Sequence, residues 1–123
     1  MSVFNLFKND PNYDFFSAGT LIFQENKPGY IMYVIQQGQV NILLKDQLVE
    51  TVGEGEPLGE MAMLEPGEPR SASAIAKTDC RLVPIDQKRF TFLVQQNPYF
   101  SIQVMKVLAR RLRVMDLKAE ENF

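Results

Sequence analysis

A glutamate and an arginine, Glu60 and Arg70, lie ten residues apart in the stretch PLGEMAMLEPGEPRSASA, which spans 57–74. The turn signal Pro66-Gly67 between them allows the chain to fold back, so that both side chains can face one cavity. A buried arginine without a partner is costly, and its guanidinium therefore needs a carboxylate or an incoming anion. A phosphate suits the planar fork of Arg70, and Glu60 can accept a hydrogen bond from a sugar hydroxyl. The pair predicts a site for a molecule with one phosphate and a free ribose hydroxyl.

The residues around this pair also favour a ligand. We expect 59–64 to form a single helical turn, whose first N–H groups lack partners and attract anions. Arg70 is followed by four small residues, Ser71, Ala72, Ser73 and Ala74. Small side chains leave space for a guest, and a serine hydroxyl can donate to an oxygen. The alternative is an internal ion pair between Glu60 and Arg70 that tightens a loop.

The composition excludes several kinds of site. The 123-residue chain contains no histidine and one cysteine, Cys80. These counts exclude a Ser-His-Asp triad, a histidine-ligated haem, an internal disulfide and a four-cysteine zinc or iron–sulfur site. We therefore predict a protein that is not an enzyme and has neither a cofactor nor a metal. With 13 basic and 15 acidic residues, the chain also lacks the excess of positive charge typical of proteins that bind nucleic acid backbones.

The overall character of the chain is that of one globular domain. It is 46% hydrophobic and 23% charged, and no apolar run approaches the roughly 18 residues that a membrane span needs. The first ten residues lack the basic-then-apolar order of a signal peptide. We therefore expect a single cytoplasmic domain that does not bind membranes.

Most of the chain from Thr20 onward is typical of short β-strands. The candidate strands are GTLIFQE, YIMYVIQ, QVNILLK, LVETV, RSASAIAK and CRLVPI. They are separated by the turns NKPG and Lys45-Asp46-Gln47 and by Gly38. Regular spacing of such strands predicts a β-sandwich or jelly roll.

The last third of the chain changes to a helical period. Asp86 is a candidate N-cap, and Asn97-Pro98 is a signal for a second helix that continues to about Glu121. This second helix carries two apolar stripes: Met105, Leu108, Leu112 and Met115 in one, and Val104, Val107, Val114 and Leu117 in the other. One stripe can cover the sandwich. The other predicts a homodimer through the same helix of a second subunit, and the alternative is one broad face that packs within its own domain.

Residues from Gly19 to about Lys118 resemble the cyclic nucleotide-binding domain family. The segment GEMAM, followed by PRSA, is similar to the phosphate-binding cassette of that family. The glycines that match its tight turns are Gly29, Gly38, Gly53, Gly55 and Gly59. The resemblance implies a mainly β fold with flanking α-helices, an eight-stranded jelly roll over 19–85 with a lead-in at 1–18 and C-terminal helices at 86–123. It implies cyclic AMP or cyclic GMP as the ligand.

The family's site residues transfer to matching positions of this sequence. By resemblance, Glu60 binds the ribose 2′-hydroxyl and Arg70 binds the cyclic phosphate, with Ser71 beside it. Gly59, Met61 and Ala62 match the turn that lines the ribose-phosphate, and Ala72 belongs to the adjoining small segment. The chain thus resembles a sensor whose ligand moves its final helix and signals to a protein partner.

The final helix is similar to the dimer helix of catabolite activator-like members of the family. By that similarity Arg111 approaches the ribose-binding glutamate, while Met115 and Asp116 replace two hydroxyl side chains that hold the base. Base selectivity is therefore not inherited. The sequence also stops where these members continue into a DNA-binding domain, so we expect no direct binding of nucleic acid. Two alternatives remain: a jelly-roll interaction module that has lost nucleotide binding, and a sensor of another small anion.

Overall fold

The computed structural model describes residues 3–121 of the chain, with side chains over 5–117. Eight strands form two antiparallel four-stranded sheets, in the orders β1-β8-β3-β6 and β2-β7-β4-β5. The strands are β1 (Asp14–Phe16), β2 (Leu21–Phe23), β3 (Met32–Gln37), β4 (Val40–Leu44), β5 (Gln47–Val52), β6 (Pro57–Leu58), β7 (Ser73–Ala76) and β8 (Cys80–Ile85). This architecture confirms the predicted jelly roll.

Two turns show how the sequence sets the strand order. Lys45 and Asp46 join β4 to β5 with φ angles of 51° and 65°, the left-handed pair that a tight two-residue hairpin requires. Gly38 joins β3 to β4 with a φ of 101°, and a Cβ there would lie 2.4 Å from the carbonyl oxygen of Asp79. Only glycine satisfies both its angle and its space.

Two short strands were missed by the sequence pattern. β1 pairs with β8 through Asp14 opposite Leu82, so the first sheet begins before the predicted boundary at residue 19. β6 pairs with β3 although it begins with Pro57, which has no N–H to donate. Strands of two or three residues carry no measurable alternation, and their pairing depends on the neighbouring strand.

Three helices flank the sheets. α1 (Met61–Leu64) is the predicted single turn, and α2 (Gln87–Gln96) is capped by Asp86, whose carboxylate accepts from the Arg89 amide at 2.8 Å. α3 (Tyr99–Glu121) begins directly after Asn97-Pro98. A 3₁₀ turn (Val3–Phe7) packs against α3 through an edge-to-face contact of Phe7 with Phe100. No helix within residues 3–121 is long and apolar enough to cross a membrane.

The predicted division of α3 into two stripes was wrong. Val104 is buried and Leu108 is half-buried, but Met105 and Leu112, from the same predicted stripe as Leu108, are 54% and 63% exposed. Arg111 takes an inward position on this helix and donates to the buried carboxylate of Glu60. The exposed line instead contains Ile102, Met105, Leu112 and Leu117.

Candidate functional site

A cavity of about 200 Å³ lies between the β2-β7-β4-β5 sheet and α3. The segments that line it are short and come from distant parts of the chain. Among them are Phe23 of β2, Ile42 of β4, Val49 and Glu50 of β5, residues 59–62 and 68–72, and Leu108, Arg111, Leu112 and Met115 of α3. The cavity therefore brings together nine of the ten predicted site residues.

Arg70 is half-buried at the end of this cavity and is held by neutral groups. Its Nη2 donates to the carbonyl oxygen of Ile31 at 2.7 Å, and its Nη1 donates to that of Gly59 at 3.3 Å. The ring of Phe23 lies 4.2 Å from the guanidinium carbon. Nε is buried and has no hydrogen-bond partner among the described residues. Burial lowers the pKa of Arg70, and Tyr33 and Glu60 oppose only part of this shift. Arginine nevertheless stays protonated at any physiological pH.

Two glycines make room for this arginine. A Cβ on Gly29 would lie 2.3 Å from Nε of Arg70, and a Cβ on Gly59 would lie 2.4 Å from Nη1. Gly59 also has a φ of 68°, which an L side chain rarely adopts. The guanidinium thus lies against bare backbone on two sides, and any larger residue at these positions would displace it.

Glu60 is the one buried charged residue in the part of the chain with described side chains, at 3% exposure. Its Oε1 accepts a hydrogen bond from Nη1 of Arg111 at 2.5 Å. Arg111 also lies 3.7 Å from Oε2 of Glu50, so two carboxylates surround it. Arg110 adds a 3.5 Å contact to Glu50. Ion pairs therefore attach α3 both to β5 and to the turn before α1.

The internal ion pair between Glu60 and Arg70, the alternative to a ligand site, is absent from the described residues. Among the described side chains, Arg70 forms no ion pair with any carboxylate, and Glu60 pairs with Arg111 instead. The side chains of Glu60 and Arg70 line the same cavity without contacting each other as an ion pair. This arrangement leaves the positive charge of Arg70 available to a guest.

The remaining predicted residues take different places. Met61, Ala62, Ser71 and Ala72 line the cavity, but the amide of Ala62 already donates to the carbonyl oxygen of Gly59 at 3.1 Å. It is therefore not one of the unpaired amides expected there. Asp116 is exposed and does not line the cavity, because it lies on the outer face of α3, one residue past Met115. The structure thus does not place Asp116 beside a ligand within one subunit.

Sequence reasoning missed several residues of the cavity, among them Phe23, Gly29 and Glu50. Phe23 and Glu50 were interpreted only as strand residues, and Gly29 only as a turn glycine. Their roles depend on contacts with Arg70 and Arg111, which lie far away in the sequence. A group of three or more side chains able to hold a metal does not occur within the described residues.

Comparison with known proteins agrees with this geometry. The model of the family described as cyclic nucleotide-binding domain matches residues 13–97. The chain belongs to the cyclic nucleotide-binding domain family. The two sheets, α1 and the Arg70 segment all fall within the match, whereas α3 and its Arg111 lie beyond it.

Individual members of the cyclic nucleotide-binding domain family are similar to this chain over most of its length. It is 35% identical over 107 residues to the cAMP-activated global transcriptional regulator CRP of Salmonella typhimurium, with 83% of this chain and 50% of CRP aligned. The crystal structure of Thermus thermophilus catabolite activator protein superposes with a TM-score of 0.77 at 30% identity, over 89% of this chain and 53% of that one.

A third similar structure is closer in size. It was solved in work on a cyclic-GMP-dependent signalling pathway in bacterial phytopathogenesis, and it matches with a TM-score of 0.75 at 26% identity. The match covers 91% of this chain and 94% of that chain. The chain spans about half the length of the curated CRP relatives that it matches.

Proposed function

We propose that this chain binds a 3′,5′-cyclic nucleotide, cyclic AMP or cyclic GMP, and acts as a sensor without enzymatic activity. The observation that carries the proposal is the half-buried guanidinium of Arg70, which lines the cavity without a carboxylate partner among the described residues and has a buried, unpaired Nε. A buried cation in this state is stabilised by an incoming anion. The cyclic phosphate binds at Arg70 and Ser71.

The charges around the cavity disfavour a guest with more than one negative charge. Two arginines, Arg70 and Arg111, line it together with four glutamates, Glu50, Glu60, Glu65 and Glu68. A di- or triphosphate would meet these carboxylates without enough cations to offset them. A cyclic phosphodiester carries a single charge, and its ribose hydroxyl donates to Glu60.

The rest of the cavity suits a purine base. Its apolar lining on α3 is Leu108, Leu112 and Met115, and Ile42 and Val49 line it from the sheet. Apolar side chains favour the flat faces of a base but do not read its polar edge. Names of relatives support both nucleotides, since one is cAMP-activated and another belongs to a cyclic-GMP-dependent pathway.

Binding is transmitted through α3 in this proposal. Arg111 connects the helix to Glu60, which is also the acceptor for the ribose hydroxyl. A ligand that shares Glu60 and contacts Met115 changes the relative stability of two positions of α3. The exposed line of Ile102, Met105, Leu112 and Leu117 provides the surface for a second copy of the chain. A homodimer, or a downstream protein, then receives the signal.

Calorimetry with Arg70→Ala tests the proposal. We expect wild type to bind at least one of the two nucleotides, and Arg70→Ala to lose about one to two orders of magnitude in affinity, the value of a charge-assisted contact. Arg81→Ala is the matched control, since Arg81 is exposed on β8 and outside the cavity. If Arg70→Ala binds with the affinity of wild type, Arg70 does not bind the phosphate. No binding by wild type would favour an interaction module instead.

A further inference from the structure

The contact between Phe23 and Arg70 identifies an additional residue of the binding site. The Phe23 ring centroid lies 4.2 Å from the guanidinium carbon of Arg70, within the range of a cation–π interaction. Phe23 lines the same cavity. We infer that Phe23 is a positioning residue, whose ring holds the Arg70 guanidinium in the orientation that binds phosphate. This inference rests on the proposed function.

The neutral surroundings of Arg70 give the ring its importance. An arginine prepared for a ligand anion must be held in place without a carboxylate, because a carboxylate would compete with that anion. The guanidinium is fixed at its two terminal nitrogens by the carbonyl oxygens of Ile31 and Gly59. These acceptors hold two of its nitrogens, and its central carbon lies over the Phe23 ring. An aromatic face attracts a cation without neutralising its charge.

The backbone determines where this ring lies. Phe23 is the last residue of β2 and pairs with Ala74 of β7. Ala74 lies four residues after Arg70 in the chain. The carbonyl oxygen of Arg70 accepts from the Asn26 amide at 2.9 Å, and its own amide donates to Lys27. The segments that carry the ring and the cation are therefore attached to each other. Gly59 also lies close to the ring, since a Cβ on it would be 3.3 Å from Phe23.

A double-mutant cycle tests the inference. Calorimetry with cyclic AMP and cyclic GMP is performed on wild type, Phe23→Leu, Arg70→Gln and the double variant. Phe23→Leu keeps an apolar side chain but has no aromatic face, and we expect its affinity to fall by about tenfold. In the Arg70→Gln background the same change should have little effect, because the cation is gone. Phe23→Tyr retains the ring and should bind like wild type.

A purely structural role for Phe23 gives a different result. It would lower affinity equally in both backgrounds, and that outcome, or unchanged binding by Phe23→Leu, would overturn the inference. In either case binding by wild type leaves the proposed function standing, whereas failure of wild type itself refutes that function. If Phe23→Leu does not fold, Phe23→Met carries the same cycle. A ligand-free readout is the Arg70 Nε–H proton resonance, which the ring should shift in wild type and not in Phe23→Leu.

Discussion

Arg111 donates from Nη1 to Oε1 of Glu60 at 2.5 Å, so the C-terminal helix is attached directly to the acceptor that the ribose is expected to use. Both side chains are largely removed from solvent, at 12% and 4% exposure. The two residues are 51 positions apart in the sequence, and their contact joins α3 to the turn before α1. Removal of either partner therefore affects both stability and binding.

Arg111→Ala should destabilise the ligand-free protein. It leaves the buried carboxylate of Glu60 without its arginine, and breaking a buried pair from one side costs about 3 kcal/mol. Urea unfolding followed by circular dichroism measures this loss. Arg113→Ala is the control, because Arg113 is exposed on the same helix and its loss should change stability by less than about 0.5 kcal/mol. Equal effects of the two substitutions would show that the Glu60 contact adds no stability.

Glu60→Gln should weaken the binding of the ribose. The substitution keeps the size of the side chain but removes its charge, and we expect about tenfold weaker binding of the cyclic nucleotide. The 2′-deoxy analogue of the ligand should lose a similar factor on wild type and no further factor on Glu60→Gln. Glu54→Gln, at an exposed glutamate outside the cavity, should bind both ligands like wild type. If the 2′-deoxy analogue loses the same factor on Glu60→Gln as on wild type, the ribose 2′-hydroxyl does not bind Glu60.

Gly29→Ala should abolish much of the binding without unfolding the chain. Its Cβ would lie 2.3 Å from Nε of Arg70, a flexible side chain that can move away at little cost to the fold. The displaced guanidinium no longer faces the phosphate, and affinity should fall by about tenfold or more. Gly53→Ala is the matched control, since no atom lies within 4 Å of its Cβ. Calorimetry and thermal melting of both variants separate binding from stability.

The contribution of Gly29 shows where sequence reasoning ends. The pattern predicted a turn at NKPG and a cavity with Glu60 and Arg70, and the structure has both. It did not predict that Gly29 is needed for close approach to Arg70, because its φ is not left-handed and its neighbour is 41 positions away. For the same reason the partners of Arg70 were expected to be anionic. They are the backbone carbonyl oxygens of Ile31 and Gly59 and the ring of Phe23, and no local sequence pattern assigns such groups to a particular arginine.

The helices show the same limit. Asp86 and Asn97-Pro98 are local signals, and they predicted the beginning of α2 and of α3 correctly. The facing of α3 was predicted wrongly from hydrophobicity, which treats Arg111 as a solvent residue, whereas the family resemblance predicted that Arg111 approaches Glu60. Its inward position follows from Glu60, a partner that no periodic pattern in the helix reveals.

Met105→Glu tests the proposed association of two copies through α3. Met105 is 54% exposed, near the middle of the exposed line and outside the cavity. Sedimentation velocity should find a dimer of wild type and a monomer of Met105→Glu, since the dimer would bury two carboxylates without partners. Phe92→Glu, at an equally exposed apolar position on α2, should remain dimeric. A monomeric wild type at all concentrations would contradict the dimer.

Native mass spectrometry of the wild-type protein, alone and with cyclic AMP or cyclic GMP, tests the central claim most directly. The claim is that the cation at Arg70, unpaired by any carboxylate in the described part of the chain, accepts a cyclic phosphate. We predict one molecule of at least one of the two nucleotides bound per chain, and no binding of adenosine. Binding of neither nucleotide, or equal binding of adenosine, would contradict the account.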